Sequence, residues 1–292
     1  KILYQYLDAL ELTEGRLIGS YYMSKNERNL VSIIIPTWNQ KKLLFECLES
    51  ILKHPSRLAT EIIVVDDAST DGTAELIKKK FPNVRLIENK QNEGYAKAVN
   101  KGVERSKGDF IFLLNNDTRF IGNTIDVLYE VLMKHKDVGA VAPLLVYADG
   151  RLQVSCRRFP TPAALLFEKV RMNGFWSFKR WKLTLEEHLK GGSVPQPMAS
   201  AIFIKRECWD AVGTLDERFP IFFNDVDWCY RVYKDTGYKI YLCTDVKVIH
   251  HVGATINTLG LRKKREFYKG LAKFYLKHFP FKAEIIKKKQ KV

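Results

Sequence analysis

Residues 110–117 read Phe110-Ile111-Phe112-Leu113-Leu114-Asn115-Asn116-Asp117: five apolar residues without alternation, then a polar tip ending in an acid. The same pattern occurs earlier as Ile62-Ile63-Val64-Val65, followed by Asp66 and Asp67. Unbroken runs of apolar β-formers predict strands covered on both faces, as in a parallel sheet with helices above and below. Open α/β sheets bind ligands just beyond the carboxyl ends of their strands. Carboxylates at such tips are costly unless partnered, and a nucleotide with a divalent cation supplies the partners. A nucleotide-handling site is therefore expected at residues 66–67 and 115–117.

Working outward, the elements alternate. Val31 to Ile35 reads as the first strand, stopped by Pro36, and Lys41 to His54 has helical periodicity through Leu44, Cys47, Leu48 and Ile51. Ser69 to Thr73 supplies turn and N-cap chemistry for a helix over 74–81. A short strand at 84–88, a helix over 95–106, the strand 110–114, a helix over 124–135 and a strand at 138–142 follow. This alternation predicts an α/β fold: a Rossmann-like, mostly parallel central sheet flanked by helices, with right-handed crossovers. Beyond residue 145 the pattern loosens. Residues 159–197, rich in aromatics and prolines and containing Gly191-Gly192, read as loops and short helices around a pocket. Strands are expected at 199–205, 239–243 and 246–250, and a helix over 224–236. The expected organisation is a lead-in over 1–29, a domain over 30–258 and a basic helical extension over 259–292. Within the domain, 30–145 are expected to bind one ligand and 146–258 to build the other side of the cleft.

Hydrophobic residues make up 46% of the 292-residue chain and charged residues 28%, values ordinary for a globular protein. No apolar run approaches the ~20 residues of a membrane span. The chain opens on Lys1 rather than Met, which suits a piece of a longer protein, and no signal peptide is recognised. Cys47, Cys156, Cys208, Cys229 and Cys243 are scattered and form no C-x-x-C pair, which speaks for a reducing compartment over a disulfide or zinc framework. The net charge of +15 is uneven: residues 261–292 hold 12 Lys or Arg against Glu266 and Glu284. Phe267, Leu271, Phe274 and Tyr275 have helical spacing there. A basic amphipathic helix suits an anionic membrane surface, unless its aromatics pack on the domain. Nucleic acid is the weaker candidate.

Several segments carry chemistry. Pro36-Thr37-Trp38-Asn39 follows the first strand, where it can form a nucleotide-base pocket or an ordinary turn. Of Asp66 and Asp67, at least one is expected to face the ligand, accepting the N3–H of a uracil or thymine ring; Asp71 can instead stabilise the next helix start. Gly94 permits close backbone approach, and Lys97 can reach a diphosphate or simply be solvated. Asn116 can hydrogen-bond ribose, and Asp117 can ligate Mg²⁺ or Mn²⁺ against a diphosphate. Asp225 and Asp227 lie two residues apart among aromatics. An acid so walled has a raised pKa, which suits a general base; Asp225 is favoured, with Asp227 as support or in an ion pair with Arg231. His250 and His251 end a strand and point opposite ways, so one can serve a given site.

Taken in order, Pro36 to Asn39, Asp66 to Thr73, Asn92 to Asn100, Asn115 to Asp117, Gly213 to Arg231 and His250 to Thr255 resemble the inverting family 2 glycosyltransferases of GT-A fold, rhamnosyltransferase-like members above all. The resemblance spans residues 30 to 258. It implies that Asp117 and His251 hold a divalent metal, that Asp67 reads the base with Asp66 behind it, and that Asp225 is the catalytic base. Asn115 and Asn224 stand where relatives often carry acids. The implied reaction moves one sugar, dTDP-L-rhamnose being the first expected donor and UDP-sugars next, to a hydroxyl of a glycan or lipid-linked acceptor, with inversion. The implied location is the cytoplasm, at the inner face of the cell membrane. A non-catalytic sugar-binding module is the competing class. A nucleotidyltransferase would want a Gly-rich phosphate loop, which Pro36 to Asn39 does not supply.

Overall fold

The computed structural model describes residues 29–160, 181–219, 221–251, 260 and 262–279. All but the last residue of the expected lead-in 1–29, the segment 252–255 that follows the two histidines and the end of the basic tail, 280–292, lie outside the described residues.

A nine-stranded sheet forms the centre. Its first half is built from β1 (Leu30–Thr37), β2 (Ala59–Asp66), β3 (Arg85–Glu88) and β4 (Phe110–Leu114), all parallel neighbours in the order β3-β2-β1-β4. Helices α1 (Lys41–Lys53), α2 (Thr73–Lys80) and α3 (Tyr95–Glu104) connect them. The unbroken apolar runs follow from this winding. Ile33, Ile35, Val64 and Phe112 face α1 and α2 on one side, whereas Ile34, Ile63, Val65, Ile111 and Leu113 face α3 on the other. Alternate strand residues point to opposite faces, so every residue of such a strand must be apolar.

The second half is mixed. After β5 (Thr118–Phe120), α4 (Thr124–Lys134) and β6 (Val138–Val146), the chain makes β7 (Cys156–Arg157), α5 (Leu185–Lys190), β8 (Gly192–Ser193) and β9 (Gln196–Pro197). β10 (Ala201–Lys205) then inserts antiparallel between β4 and β6. Next come α6 (Arg206–Val212), α7 (Asn224–Asp235) and β11 (Lys239–His250), which runs parallel to β6. The two strands expected at 239–250 are one, with a register shift between Cys243 and Lys247. β7 and β9 form a separate antiparallel ribbon off the main sheet, and Arg157 of β7 also bridges to Lys182. All five cysteines are buried free thiols.

The C-terminal helix α8 (Arg262–His278) lies on the domain. Phe267, Leu271 and the fully buried Phe274 pack on Phe219, Phe223 and Val226, and Tyr275 donates its hydroxyl to the Pro160 carbonyl. These four residues, which could have served a membrane, are spent on the protein's own core. The face left exposed carries Lys263, Lys264, Tyr268, Lys269 and Leu276. Among the described residues no helix is long and apolar enough to cross a membrane.

Candidate active site

The carboxyl ends of β1, β2 and β4 meet at one edge of the sheet. Thr37 ends β1, and its carbonyl accepts from Asp67 N at 2.8 Å. Asn116 Nδ2 donates to Thr37 Oγ1 at 2.8 Å, so this amide ties β4 to β1. Asn39 Oδ1 accepts from Thr70 N, and Asn39 N donates to Ser69 Oγ at 2.7 Å. Among the described residues, the four non-glycine residues with positive φ lie in these loops or before α7: Asn39, Gln40, Ala68 and Phe223. Such backbone costs of order 1–3 kcal/mol each and persists where surrounding structure enforces it, often at functional sites. Trp38, 40% exposed, stands beside the tips and can offer its ring to a ligand. Lys97 is exposed on α3.

Asp66 and Asp67 are both buried but differ in engagement. Asp67 Oδ1 accepts from Asn89 Nδ2 and Glu93 N, and Oδ2 from Gly94 N, each at 2.8 Å. Gly94 adopts φ +92° to present that N–H. Asp66 Oδ1 accepts from Ser69 N at 3.1 Å, and burial pushes its carboxyl above the ordinary range. Asp67 thus pins the loop leading into α3, and Asp66 has the less satisfied carboxylate. Asp71 links the starts of α1 and α2 by accepting from Lys41 N and Thr73 N, a structural task.

Asp117 is buried beyond β4, and burial pushes its carboxyl up to about 7. Its Oδ1 accepts no hydrogen bond and lies 3.5 Å from His250 Nε2. Gln153 donates its amide to the His250 carbonyl at 2.7 Å, so its oxygen faces His250 Nδ1 at 3.0 Å. That fixes the proton on Nδ1 and leaves Nε2 bare toward the carboxylate. Burial holds His250 down to about 4, so it is neutral at pH 7. Two acceptors that confront one another are a fit for a cation. His251 donates its backbone N–H to the Asp117 carbonyl at 2.8 Å, and its buried Nε2 has no partner. Asn115 Oδ1 is likewise unpartnered. Asp117 and His250 therefore present a carboxylate and a neutral imidazole to one point, a donor pair that suits a divalent metal, although among the described residues no group of three or more such side chains is gathered.

Asp225 is the second residue of α7, two residues past Phe223 with its positive φ. Its Oδ1 accepts from Val226 N at 2.8 Å, and Gln196 Nε2 lies 3.5 Å from Oδ2. Burial raises its carboxyl, and the charge of Arg157 pulls the other way. Tyr95, at the start of α3, is within electrostatic reach of both Asp225 and Asp117; burial and these two carboxylates raise its phenol. The candidate base and Asp117 are therefore both near the Tyr95 side chain. Asp227 is engaged elsewhere: fully buried, it pairs with Arg231 at 2.9 Å. Tyr95, Gln153, Arg157 and Gln196 were not marked out by the sequence; only the Gly94-Tyr95 junction carried a hint.

Residues 32–203 match the sequence profile of glycosyl transferase family 2. The chain belongs to glycosyl transferase family 2. As a family 2 glycosyltransferase it is 28% identical over 212 residues to the N-acetylglucosaminyl-diphospho-decaprenol L-rhamnosyltransferase of Mycobacterium tuberculosis, covering 66% of this chain and 68% of that one. Its GT-A fold resembles that of GalNAc-T7, crystallised with UDP, GalNAc and Mn²⁺, at a TM-score of 0.58 and 19% identity. That match covers 77% of this chain and 44% of GalNAc-T7. It also resembles the mannosyltransferase PcManGT of Pyrobaculum calidifontis with GDP-Man and Mn²⁺, at a TM-score of 0.57 and 20% identity over 87% of this chain and 68% of that one.

Proposed function

We propose that this glycosyltransferase moves L-rhamnose from dTDP-L-rhamnose, or the sugar of a related UDP donor, to a hydroxyl of a lipid-linked or cell-surface glycan acceptor, with inversion. The observation that carries the reading is Asp225, a half-buried carboxylate whose pKa is raised by desolvation and which, like Asp117, lies within electrostatic reach of Tyr95. Asp225 takes the proton of the acceptor hydroxyl as its oxygen bonds to the anomeric carbon. The bond from that carbon to the diphosphate oxygen breaks with its electron pair leaving on the diphosphate. One such displacement inverts the centre and needs one base, unlike glycoside hydrolysis with its two carboxylates. Asp117 with His250 or His251 would hold a divalent metal, whose charge stabilises the departing diphosphate. Thr37, Trp38, Asn39, Asp66 and Asp67 line the base and ribose end, with Pro36, Lys97 and Asn116 around it.

The named activity of the mycobacterial relative supports both the rhamnosyl donor and the lipid-linked acceptor. Such an acceptor requires work at a membrane surface. The exposed Lys263, Lys264 and Lys269 beside Tyr268 and Leu276 support peripheral binding to anionic lipid on the cytoplasmic face. Incubation with labelled dTDP-L-rhamnose, UDP-sugars and an N-acetylglucosaminyl diphospholipid tests the reading. Metal-dependent product from the rhamnose donor is expected, and absence of transfer from every donor would overturn it.

A further inference from the structure

Among the described residues, six buried side-chain polar atoms have no hydrogen-bond partner. Three belong to Asn115, Asp117 and His251, in the cluster already described. The other three are Arg157 Nε, Trp181 Nε1 and Gln196 Oε1. Leaving such a group unsatisfied costs ≈1–3 kcal/mol, so three together call for an explanation.

They belong to one small structure. Arg157 and Gln196 are directly opposed across the β7–β9 ribbon, and opposed residues of an antiparallel pair project from the same face. The Arg157 guanidinium carbon lies 5.4 Å from the centre of the Trp181 ring. Gln196 is fully buried. Its Nε2 donates to the Pro197 carbonyl at 3.1 Å and faces Asp225 Oδ2 at 3.5 Å. Turning the amide over would set its oxygen against a carbonyl and a carboxylate, so Oε1 is held where nothing donates to it.

We infer that Arg157, Trp181 and Gln196 form a subsite for the glycosyl acceptor, a neutral pyranose whose hydroxyls fill these unmade bonds beside Asp225. The chemistry selects this class. Arg157 Nε and Trp181 Nε1 only donate, whereas Gln196 Oε1 only accepts. A hydroxyl does both. A phosphate could satisfy the two donors, but its negative charge would meet that of Asp225. The subsite's role as an acceptor site rests on Asp225 being the base; its preference for a sugar does not.

The test is saturation-transfer NMR with the methyl glycosides of N-acetylglucosamine, rhamnose and glucose on the full chain, with dTDP and UDP as controls. At least one glycoside is expected to bind. Trp181→Phe removes the indole N–H but keeps the ring, and Gln196→Met removes the acceptor at similar volume. Each is expected to weaken that glycoside about three- to tenfold, with melting temperature and nucleotide affinity unchanged. If Gln196→Met does not fold, Trp181→Phe decides alone. No glycoside binding by the native chain, undiminished binding by the variants, or displacement by inorganic phosphate in place of sugar would overturn the subsite. Glycoside binding as expected together with unimpaired transfer by Asp225→Asn would instead overturn the base assignment and leave the subsite standing.

Discussion

His278 Nε2 and Asp227 Oδ1 lie 2.7 Å apart, which fastens the end of α8 to α7, the helix whose first turn carries the candidate base Asp225. Lys277 Nζ reaches the same oxygen at 2.7 Å, and Arg231 takes the other. Gly270 makes the approach possible: a Cβ there would lie 2.7 Å from the Phe223 ring and 3.2 Å from the Phe222 carbonyl. The described part of the basic tail is thus a piece of the catalytic domain, and only its outer face is available to lipid.

Deleting residues 262–292 should therefore destabilise the whole domain. It would uncover Phe219, Phe223 and Val226 and strip the Lys277 ammonium and the His278 hydrogen bond from the buried Asp227. Weakening a buried charge cluster alone costs about 3–5 kcal/mol, or roughly 10 °C in melting temperature. Unchanged thermal unfolding of the truncated chain would refute the docking.

His278 also predicts a pH dependence. Burial lowers its pKa below the ordinary imidazole value, and the opposing pull of Asp227 does not restore it. The unfolded chain then takes the proton first, so stability present above about pH 6.5 is lost as the pH falls through the folded pKa. Denaturant titrations of the native chain and His278→Gln should differ in slope below pH 6.5, the native chain falling more steeply. Parallel curves would remove His278 from the account.

At Asp117 the sign is reversed. Its carboxyl is raised to about 7 by burial, so ionisation above that pH costs stability in the absence of a cation. Asp117→Asn should melt a few degrees higher than the native chain at pH 8 without metal. Mn²⁺ should raise the melting temperature of the native chain and not that of the variant. His250→Ala and His251→Ala, compared by Mn²⁺ titration, identify which imidazole contributes. Equal Mn²⁺ responses in native and Asp117→Asn chains would exclude this metal site.

The neighbouring acids of β2 are expected to separate. Asp67→Ala breaks three bonds to residues 89–94 and should lower stability by about 1–3 kcal/mol. Asp66→Asn should chiefly weaken UDP and dTDP binding, measured by calorimetry. If Asp67→Ala loses nucleotide affinity at unchanged stability, Asp67 is the reader of the base. ADP or GDP binding as tight as UDP or dTDP would deny that either acid selects a pyrimidine.

The parallel half of the fold was legible because strands covered on both faces must be apolar at every position, and 62–65 and 110–114 are. The strand tips, and with them Asp66, Asp67 and Asp117, followed from that. The insertion of β10 between β4 and β6 was not legible, since a five-residue apolar strand carries no record of its direction or neighbours. Nor was β5, three residues long and hard against the acidic tip. The β7–β9 ribbon has two residues per strand, too few for any period, so Arg157 and Gln196 stayed hidden in a stretch marked only by aromatics, prolines and Gly191-Gly192. The helical spacing of Phe267, Leu271 and Phe274 was plain, but spacing does not name the surface against which a helix packs.

The central claim is that Asp225 takes the acceptor proton in an inverting transfer. The most direct test measures transfer of labelled sugar by the native chain and by Asp225→Asn, with the anomeric configuration of the product determined by NMR and donor affinity measured in parallel. The account predicts an inverted product, a rate lower by about 10²–10⁴ in the variant and donor affinity within a few fold. Near-normal turnover by Asp225→Asn, or a product that retains the donor's configuration, would contradict it.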